Sequence, residues 1–107
     1  MNVRESEFKI LLETHKKITV IGMSPDNTKP SHRIPLYMKA HGYDVVAVNP
    51  GHKEIAGIRC YDSLADVPSA YRKFVDVFRR IDAIPQVVDD VLQVGGVDVL
   101  WLQLGIF

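Results

Sequence analysis

The stretch from Ile18 to Arg33 constrains the fold of this chain more than any other. A short apolar run, Ile18 to Ile21, stops at Gly22 and opens into a loop of small, polar and proline residues, after which a helix begins. In α/β proteins a helix that follows such a loop presents unpaired N–H groups and the positive end of its dipole. Phosphate groups bind at such helix ends. The stretch therefore predicts an α/β protein with a phosphate-bearing ligand.

The loop does not follow the glycine-rich pattern that binds dinucleotides. In G-x-G-x-x-G the second and third glycines would stand where this chain has Ser24 and Asn27. The segment instead carries its own cations, Lys29 and Arg33. It also has hydroxyl groups, at Ser24, Thr28 and Ser31. We expect a nucleotide-like phosphate ligand that is held differently from NAD.

Composition indicates one small domain over residues 1–107. Hydrophobic residues make up 47% of the chain, which is enough for a core, and thirteen basic side chains balance thirteen acidic ones. That balance argues against a general affinity for nucleic acid or for an anionic membrane. The single cysteine, Cys60, excludes an internal disulfide. No apolar run has the character of a signal peptide or a membrane span, so we expect a cytoplasmic protein.

Strands and helices alternate along the sequence, which predicts a parallel sheet with right-handed crossovers. Apolar runs predict strands at residues 18–21, 43–48, 74–78 and 97–103. Helical spacing predicts helices at residues 5–15, 31–41 and 82–94. Ser31 and Asp82 are the predicted N-caps of the last two helices. We expect a short extended piece at residues 55–60 and one helical turn at residues 63–66.

The residues after the predicted strands have an unusual composition. Gly22, Asn49 and Arg79 each follow one of the first three strands, and Gln103 is the last residue of the fourth. Ligands of open α/β sheets bind beyond the carboxyl ends of the strands, where the strand order reverses, so we expect these residues to belong to one site. Asn49 stands where an NAD site would have an acidic residue for the ribose, which argues against NAD.

Residue types that carry metal or nucleophilic chemistry show no pattern of their own. The four histidines lack metal-ligand spacing, and one cysteine cannot form a zinc signature. No activating motif surrounds Cys60, so we interpret it as a small buried hydrophobic residue. The sequence therefore predicts neither a catalytic residue nor a metal site.

Five segments, in this order, resemble those of a known family. They are Val-Ile-Gly-Met-Ser-Pro-Asp-Asn-Thr-Lys-Pro-Ser-His-Arg, Val-Asn-Pro, Tyr-Asp-Ser-Leu-Ala-Asp-Val-Pro, Val-Asp-Val-Phe-Arg-Arg and Trp-Leu-Gln-Leu-Gly-Ile. From about residue 15 onward the chain resembles the small CoA-binding-domain proteins, which are similar in fold to the CoA-binding domain of the succinyl-CoA synthetase α subunit. The resemblance implies a Rossmann-like fold that binds CoA or acyl-CoA. For this chain we expect a sheet of about four strands in the order 3-2-1-4, with helices on both faces.

The resemblance also implies which positions bind the cofactor. They are Gly22, Met23, Ser24, Lys29, Ser31, Arg33, Asn49, Pro50, Val77, Phe78, Arg79, Ile84, Pro85 and Gln103. By this comparison the first loop serves the phosphates and residues 49–50 line the wall. Residues 77–79 border the adenine, residues 84–85 close over the same half, and residues 103 and 105 face the pantetheine.

The end of the chain departs from the family's pattern, because members usually continue through another helix and a fifth strand. The fourth predicted strand would then be an apolar edge open to water. We expect either that the sequence is truncated or that another chain covers this edge, as in a homodimer formed through it.

Two hypotheses of function follow from these residues. The first is a module that binds CoA or acyl-CoA and has no catalytic machinery of its own. The alternative is an NAD(P)-linked enzyme, or a subunit of an acyl-CoA ligase whose catalytic residues lie on a partner. Asn49 disfavours the NAD reading, and a ligase would be recognised by a partner subunit that co-purifies with the chain.

Overall fold

The computed structural model describes residue 10 and residues 13–103 of the chain. Seven of the eleven residues of the helix predicted over residues 5–15 lie outside this part, as does Gly105. The strands are β1 (Lys17–Ile21), β2 (Asp44–Val48), β3 (Glu54–Ile55), β4 (Ile58–Tyr61), β5 (Phe74–Val77) and β6 (Val99–Leu102). The helices are α1 (Pro30–Ala40) and α2 (Ile84–Val94), with 3₁₀ turns at Leu64–Asp66, Ser69–Tyr71 and Ile81–Ala83.

The described strands form one mixed sheet in the order β3-β4-β2-β1-β5-β6. All neighbours are parallel except β3 and β4, which are antiparallel. The prediction of about four strands is wrong, because the extended piece is a hairpin that supplies β3 and β4. Its loop is only Ala56 and Gly57, since Ile55 pairs with Ile58.

The predicted strand order, 3-2-1-4, is also wrong for the four strands that were predicted. The third of them is β5, which pairs with β1 and not with β2, so that Val20 lies opposite Asp76. The place beyond β2 is taken by β4, whose Cys60 lies opposite Ala47. The strand order therefore reverses between β1 and β5, and this is where an open α/β sheet binds its ligand.

Alternate residues of the strands face two separate apolar layers, one on each side of the sheet. Val20, Ala47 and Phe74 pack on the side of α1, together with Met38 of that helix. The other side holds a layer that includes Val87 of α2 and the residues Ile21, Val46, Val48, Val75 and Val77. The expectation of helices on both faces of a Rossmann-like sheet is confirmed.

Both helices have a proline among their first two residues, Pro30 in α1 and Pro85 in α2, and neither is capped by the predicted residue. Lys29 is the N-cap of α1, and Pro30 is its first residue, so Ser31 does not cap the helix. Ala83 is the N-cap of α2, and Asp82 lies in the preceding 3₁₀ turn. Proline fits the first helical turn, where amides have no partner in the helix. No helix in the described part of the chain is long and apolar enough to cross a membrane.

Candidate functional site

Gly22 lies where the ends of β1 and β5 come closest. Its φ is +90°, and a Cβ atom added there would lie 2.2 Å from the carbonyl oxygen of Phe78. The amide of Phe78 donates to the carbonyl of Ile21 (2.8 Å), and the amide of Gly22 donates to the carbonyl of Val48 (3.3 Å). Only glycine tolerates both this φ and this close approach, so packing between strands requires Gly22 whatever the ligand.

The loop that follows is closed by its own hydrogen bonds. One carboxylate oxygen of Asp26 accepts from the amide (3.0 Å) and from the hydroxyl (2.7 Å) of Thr28. These two contacts hold the pKa of Asp26 below its ordinary value. The amide of Asp26 donates to the Ser24 hydroxyl oxygen (3.0 Å), and the amide of Lys29 donates to the Asp26 carbonyl (3.1 Å). The hydroxyl proton of Ser24 is therefore available to a ligand.

Three further hydrogen bonds fasten the start of this loop to α1 and to the end of β2. The amide of Ser24 donates to the carbonyl of Ser31 (3.3 Å). Nδ1 of His32 lies 2.8 Å from the Ser24 carbonyl oxygen and must donate to it, because a carbonyl only accepts. Nδ2 of Asn49 donates to the carbonyl of Met23 (2.7 Å). The loop of residues 22–29 thus lies against the first turn of α1. It is called the phosphate loop here after the role predicted for it from the sequence.

A cavity of about 320 Å³ opens at the carboxyl end of β1, on the α2 side of the sheet. Its apolar walls come from Ile21, Val48, Leu64 and Val87. Polar groups at its edge are those of Asp62, Ser63, Arg79, Gln86 and Asp90. The cavity is in the size range of small-molecule sites, and its walls suit a flat apolar ring. The carboxylates of the two aspartates are acceptors for an amino group on such a ring.

Asp76 is a buried carboxyl group on the opposite face of the sheet. It has no exposed surface, and it lies between Val20 of β1 and Trp101 of β6. Nε2 of Gln103 donates to one carboxylate oxygen at 3.4 Å, while the other oxygen has no hydrogen-bond partner among the described residues. Burial raises the pKa of Asp76 to about 7, against smaller opposing effects of Gln103 and of the Val77 backbone. This group changes charge in the physiological range.

The predicted site residues fall into three groups in the structure. The first lies along the phosphate loop and its neighbours, and comprises Gly22, Ser24, Lys29, Ser31, Arg33 and Asn49. The second lies at or near the cavity, where Pro50 and Arg79 line it and Ile84 and Pro85 begin the adjoining helix. The third is buried in the apolar layers and comprises Met23, Val77 and Phe78. Gln103 stands apart, two strands from Gly22, beside Asp76. The roles assigned to all of these residues stay predictions.

The predicted set lacks several residues that the structure brings to the site. Those at the cavity are Ile21, Val48, Asp62, Ser63, Leu64, Ala83, Gln86, Val87 and Asp90. Asp62 and Ser63 directly follow β4, so recognising residues 58–61 as a strand would have revealed them. His32, a buried residue of α1, was also missed, because a lone histidine in a helix carries no signal of its own.

The described residues show no group of three histidine, cysteine, aspartate or glutamate side chains placed to hold a metal ion. Cys60 is buried in the layer on the α1 side, as expected from the sequence. Burial raises the pKa of its thiol.

Comparison with known proteins shows to which family a chain of this architecture belongs. The sequence model of one family, described as a CoA binding domain, matches residues 16–107. The chain belongs to this CoA-binding-domain family. The resemblance inferred from its motifs is thereby confirmed, and the family accounts for a Rossmann-like sheet with a loop and a helix at its carboxyl edge.

Known proteins resemble this chain in sequence, and solved structures resemble it in fold. The uncharacterized protein YneT of Bacillus subtilis (strain 168) is 31% identical over 105 residues, which are 98% of this chain and 76% of that protein. A Thermus thermophilus structure described as cell-free ID.343 superposes with a TM-score of 0.80 at 32% identity, covering 100% of this chain and 78% of that one. A hypothetical protein from Pyrococcus horikoshii OT3 gives a TM-score of 0.77 at 31% identity, over 91% of this chain and 67% of that one.

Proposed function

We propose that this protein binds CoA or acyl-CoA at the carboxyl edge of its sheet. The observation that carries the proposal is the position of the phosphate loop. In a chain of the CoA-binding-domain family, this loop begins directly after Ile21, which lines a cavity of about 320 Å³ near the point where the strand order reverses. Arg79 lines the same cavity, and its side chain lies next to Gly22. Loop and cavity together suit a ligand with a charged phosphate part and a flat ring. The proposal assigns no reaction to the chain itself.

The charges of the loop favour CoA over NAD. Lys29 and Arg33 are exposed at the start of α1, and Arg79 lines the neighbouring cavity. CoA carries a 3′-phosphate in addition to its pyrophosphate, and charged donors bind such groups more strongly than neutral amides do. Asn49, at the end of β2, uses its amide to hold the loop and offers no carboxylate to a ribose.

The cavity is the proposed place of the adenine. Ile21 and Val48 on the sheet and Val87 on α2 provide two apolar walls. Asp62 and Asp90 at the edge supply acceptors for an exocyclic amino group. The pantetheine arm would then leave on the other side of Gly22.

The test is calorimetric titration of the purified chain with CoA, with NAD and ATP as comparison ligands. We expect CoA to bind more tightly than either, with an affinity that falls steeply as salt is raised, because exposed charges are screened. The double substitution Lys29→Ala and Arg33→Ala should weaken CoA binding by more than about ten-fold. Lys73→Ala is the matched control, since this exposed lysine precedes β5 at the opposite edge of the sheet.

The outcomes separate the two hypotheses stated from the sequence. Tighter binding of NAD than of CoA would support the dinucleotide enzyme instead. Unchanged CoA affinity in the double variant, in protein that unfolds at the wild-type temperature, would overturn the phosphate loop as the site.

A further inference from the structure

Two successive peptide groups of the phosphate loop are held with their carbonyls turned into the protein. The carbonyl of Met23 accepts from Nδ2 of Asn49 (2.7 Å), and the amide of the same peptide, on Ser24, donates to the Ser31 carbonyl (3.3 Å). The carbonyl of Ser24 accepts from Nδ1 of His32 (2.8 Å). The next residue is Pro25, which has no amide hydrogen to offer in the opposite direction.

His32 is built into the protein for this contact. Its side chain belongs to the first turn of a helix that faces the sheet, and the residue is only 8% exposed. The bond to Ser24 places the hydrogen on Nδ1, so the neutral ring has its lone pair on Nε2. A buried histidine that donates one short bond to a loop carbonyl restrains the loop more than a solvent-exposed polar group would.

The direction of these carbonyls matters because of the charge that the loop is proposed to receive. A peptide carbonyl carries a partial negative charge, so a loop whose carbonyls point at the ligand would repel a phosphate. Turning them inward removes that repulsion, and the loop then needs no rearrangement when the anion arrives. The hydroxyl of Ser24 stays on the open side, where it can donate to a phosphate.

We propose that His32 and Asn49 are positioning residues of the phosphate loop, which hold the Ser24 and Met23 carbonyls away from the phosphates of the ligand. This inference rests on the proposed function, because its ligand is the CoA of that proposal. In this proposal each residue acts through the loop backbone, by its bond to a loop carbonyl, and not through a contact of its own with the phosphates.

The test compares CoA affinity, by calorimetry, between variants that lose and variants that keep the donor. His32→Ala should bind CoA about ten-fold more weakly than the wild type, since one short hydrogen bond and the conformation it holds are lost. His32→Asn should stay within about three-fold, because its amide nitrogen lies close to the position of Nδ1. His32→Gln places its donor one bond farther out and should behave like His32→Ala.

Matched controls exist on the same elements. His41 makes an equal contact, from Nδ1 to the Tyr37 carbonyl at 2.8 Å, at the other end of α1, and His41→Ala should leave CoA affinity unchanged. Asn49→Leu should weaken binding about as much as His32→Ala. His52→Ala removes the other contact of the Asn49 side-chain amide, which joins its Oδ1 to Nδ1 of His52 at 3.3 Å. This variant should leave CoA affinity unchanged.

The results discriminate between the two proposals. If the wild-type chain does not bind CoA, the proposed function fails and the positioning role fails with it. If the wild type binds CoA and His32→Ala binds equally well, only the positioning role is overturned. If His32→Ala does not fold, equal affinities of His32→Asn and His32→Gln would overturn it, and recovery by His32→Asn alone would support it.

Discussion

At the scale of single residues, Asp76 is the group whose environment departs most from what its sequence position suggests. It stands in an apolar strand with no exposed surface, and one of its carboxylate oxygens has no hydrogen-bond partner. An uncompensated carboxylate in such a place costs stability whenever it is ionised. Burial therefore raises the pKa of Asp76 to about 7.

A pH dependence of stability follows. Between an ordinary pKa near 4 and the folded value of about 7, the folded chain holds a proton that the unfolded chain has released. Folding stability therefore falls as pH rises through this interval, and the loss is complete above the folded pKa. Asp76→Asn removes the charge, so we expect it to raise the free energy of unfolding by a few kcal/mol at pH 8 and by much less at pH 4, because each tenfold change in an ionisation constant corresponds to about 1.4 kcal/mol.

Urea unfolding of both proteins at a series of pH values measures this difference. Asp89→Asn, on the exposed face of α2, is the control and should change stability little at either pH. A difference between Asp76→Asn and the wild type that does not vary with pH would contradict the account.

The residue scale also shows what a sequence reveals about a site. Gly22, Lys29, Arg33 and Asn49 were all predicted as site residues from residue type and position, and their roles stay predictions. The chemistry of a single side chain can be predicted from its residue type. The hydrogen bond from His32 to Ser24 could not be predicted, because it depends on how α1 packs against the loop.

At the scale of elements, the β3–β4 hairpin is the feature that sequence reasoning missed. Its loop, Ala56–Gly57, has φ values of +50° and +85°, and the usual signal for such a turn is Asn-Gly. Alanine in the left-handed region is strained, so the turn forms because Ile55 and Ile58 are buried on either side of it. The local turn sequence therefore did not predict this hairpin, which is stabilised by the burial of Ile55 and Ile58.

This strain gives a prediction for the hairpin. Ala56→Asn should stabilise the protein by about 0.5–1 kcal/mol, because asparagine adopts positive φ at lower cost and restores the preferred turn pair. The midpoint of chemical denaturation measures the gain. Ala56→Val is the opposing variant and should destabilise, since a β-branched residue is least suited to this φ. Equal stability of all three proteins would show that the turn is not strained.

At the scale of the whole molecule, β6 is an open edge of the sheet. Within the described residues it pairs only with β5, and its four residues are half-buried and apolar. Edges of this kind readily pair with another strand. The homodimer expected from the sequence therefore stays our prediction, and sedimentation equilibrium over a range of concentrations tests it.

A backbone variant separates edge pairing from side-chain packing. The amides of Val99 and Gln103 donate toward β5, so by alternation the amide of Leu100 faces the open edge. Leu100→Pro removes that donor and should weaken a dimer at least about ten-fold, whereas Leu100→Ala keeps it and should dimerise like the wild type. A wild-type chain that sediments as a monomer at every concentration would refute the edge interface.

Sequence patterns were sufficient to predict the class of fold and the helices on both faces. They also suggested site residues directly after the recognised strands, and these assignments stay predictions. Periodicity and turn chemistry are local properties, and they are readable along the chain. Which strands are neighbours could not be predicted from these local patterns, because strand pairing joins segments that are far apart in sequence. In the folded chain β5 pairs with β1, and this pairing places Arg79 next to Gly22. The fold also brings Asp62 from the end of β4 and Asp90 from α2 to one cavity. It buries Asp76 with one carboxylate oxygen unpaired among the described residues.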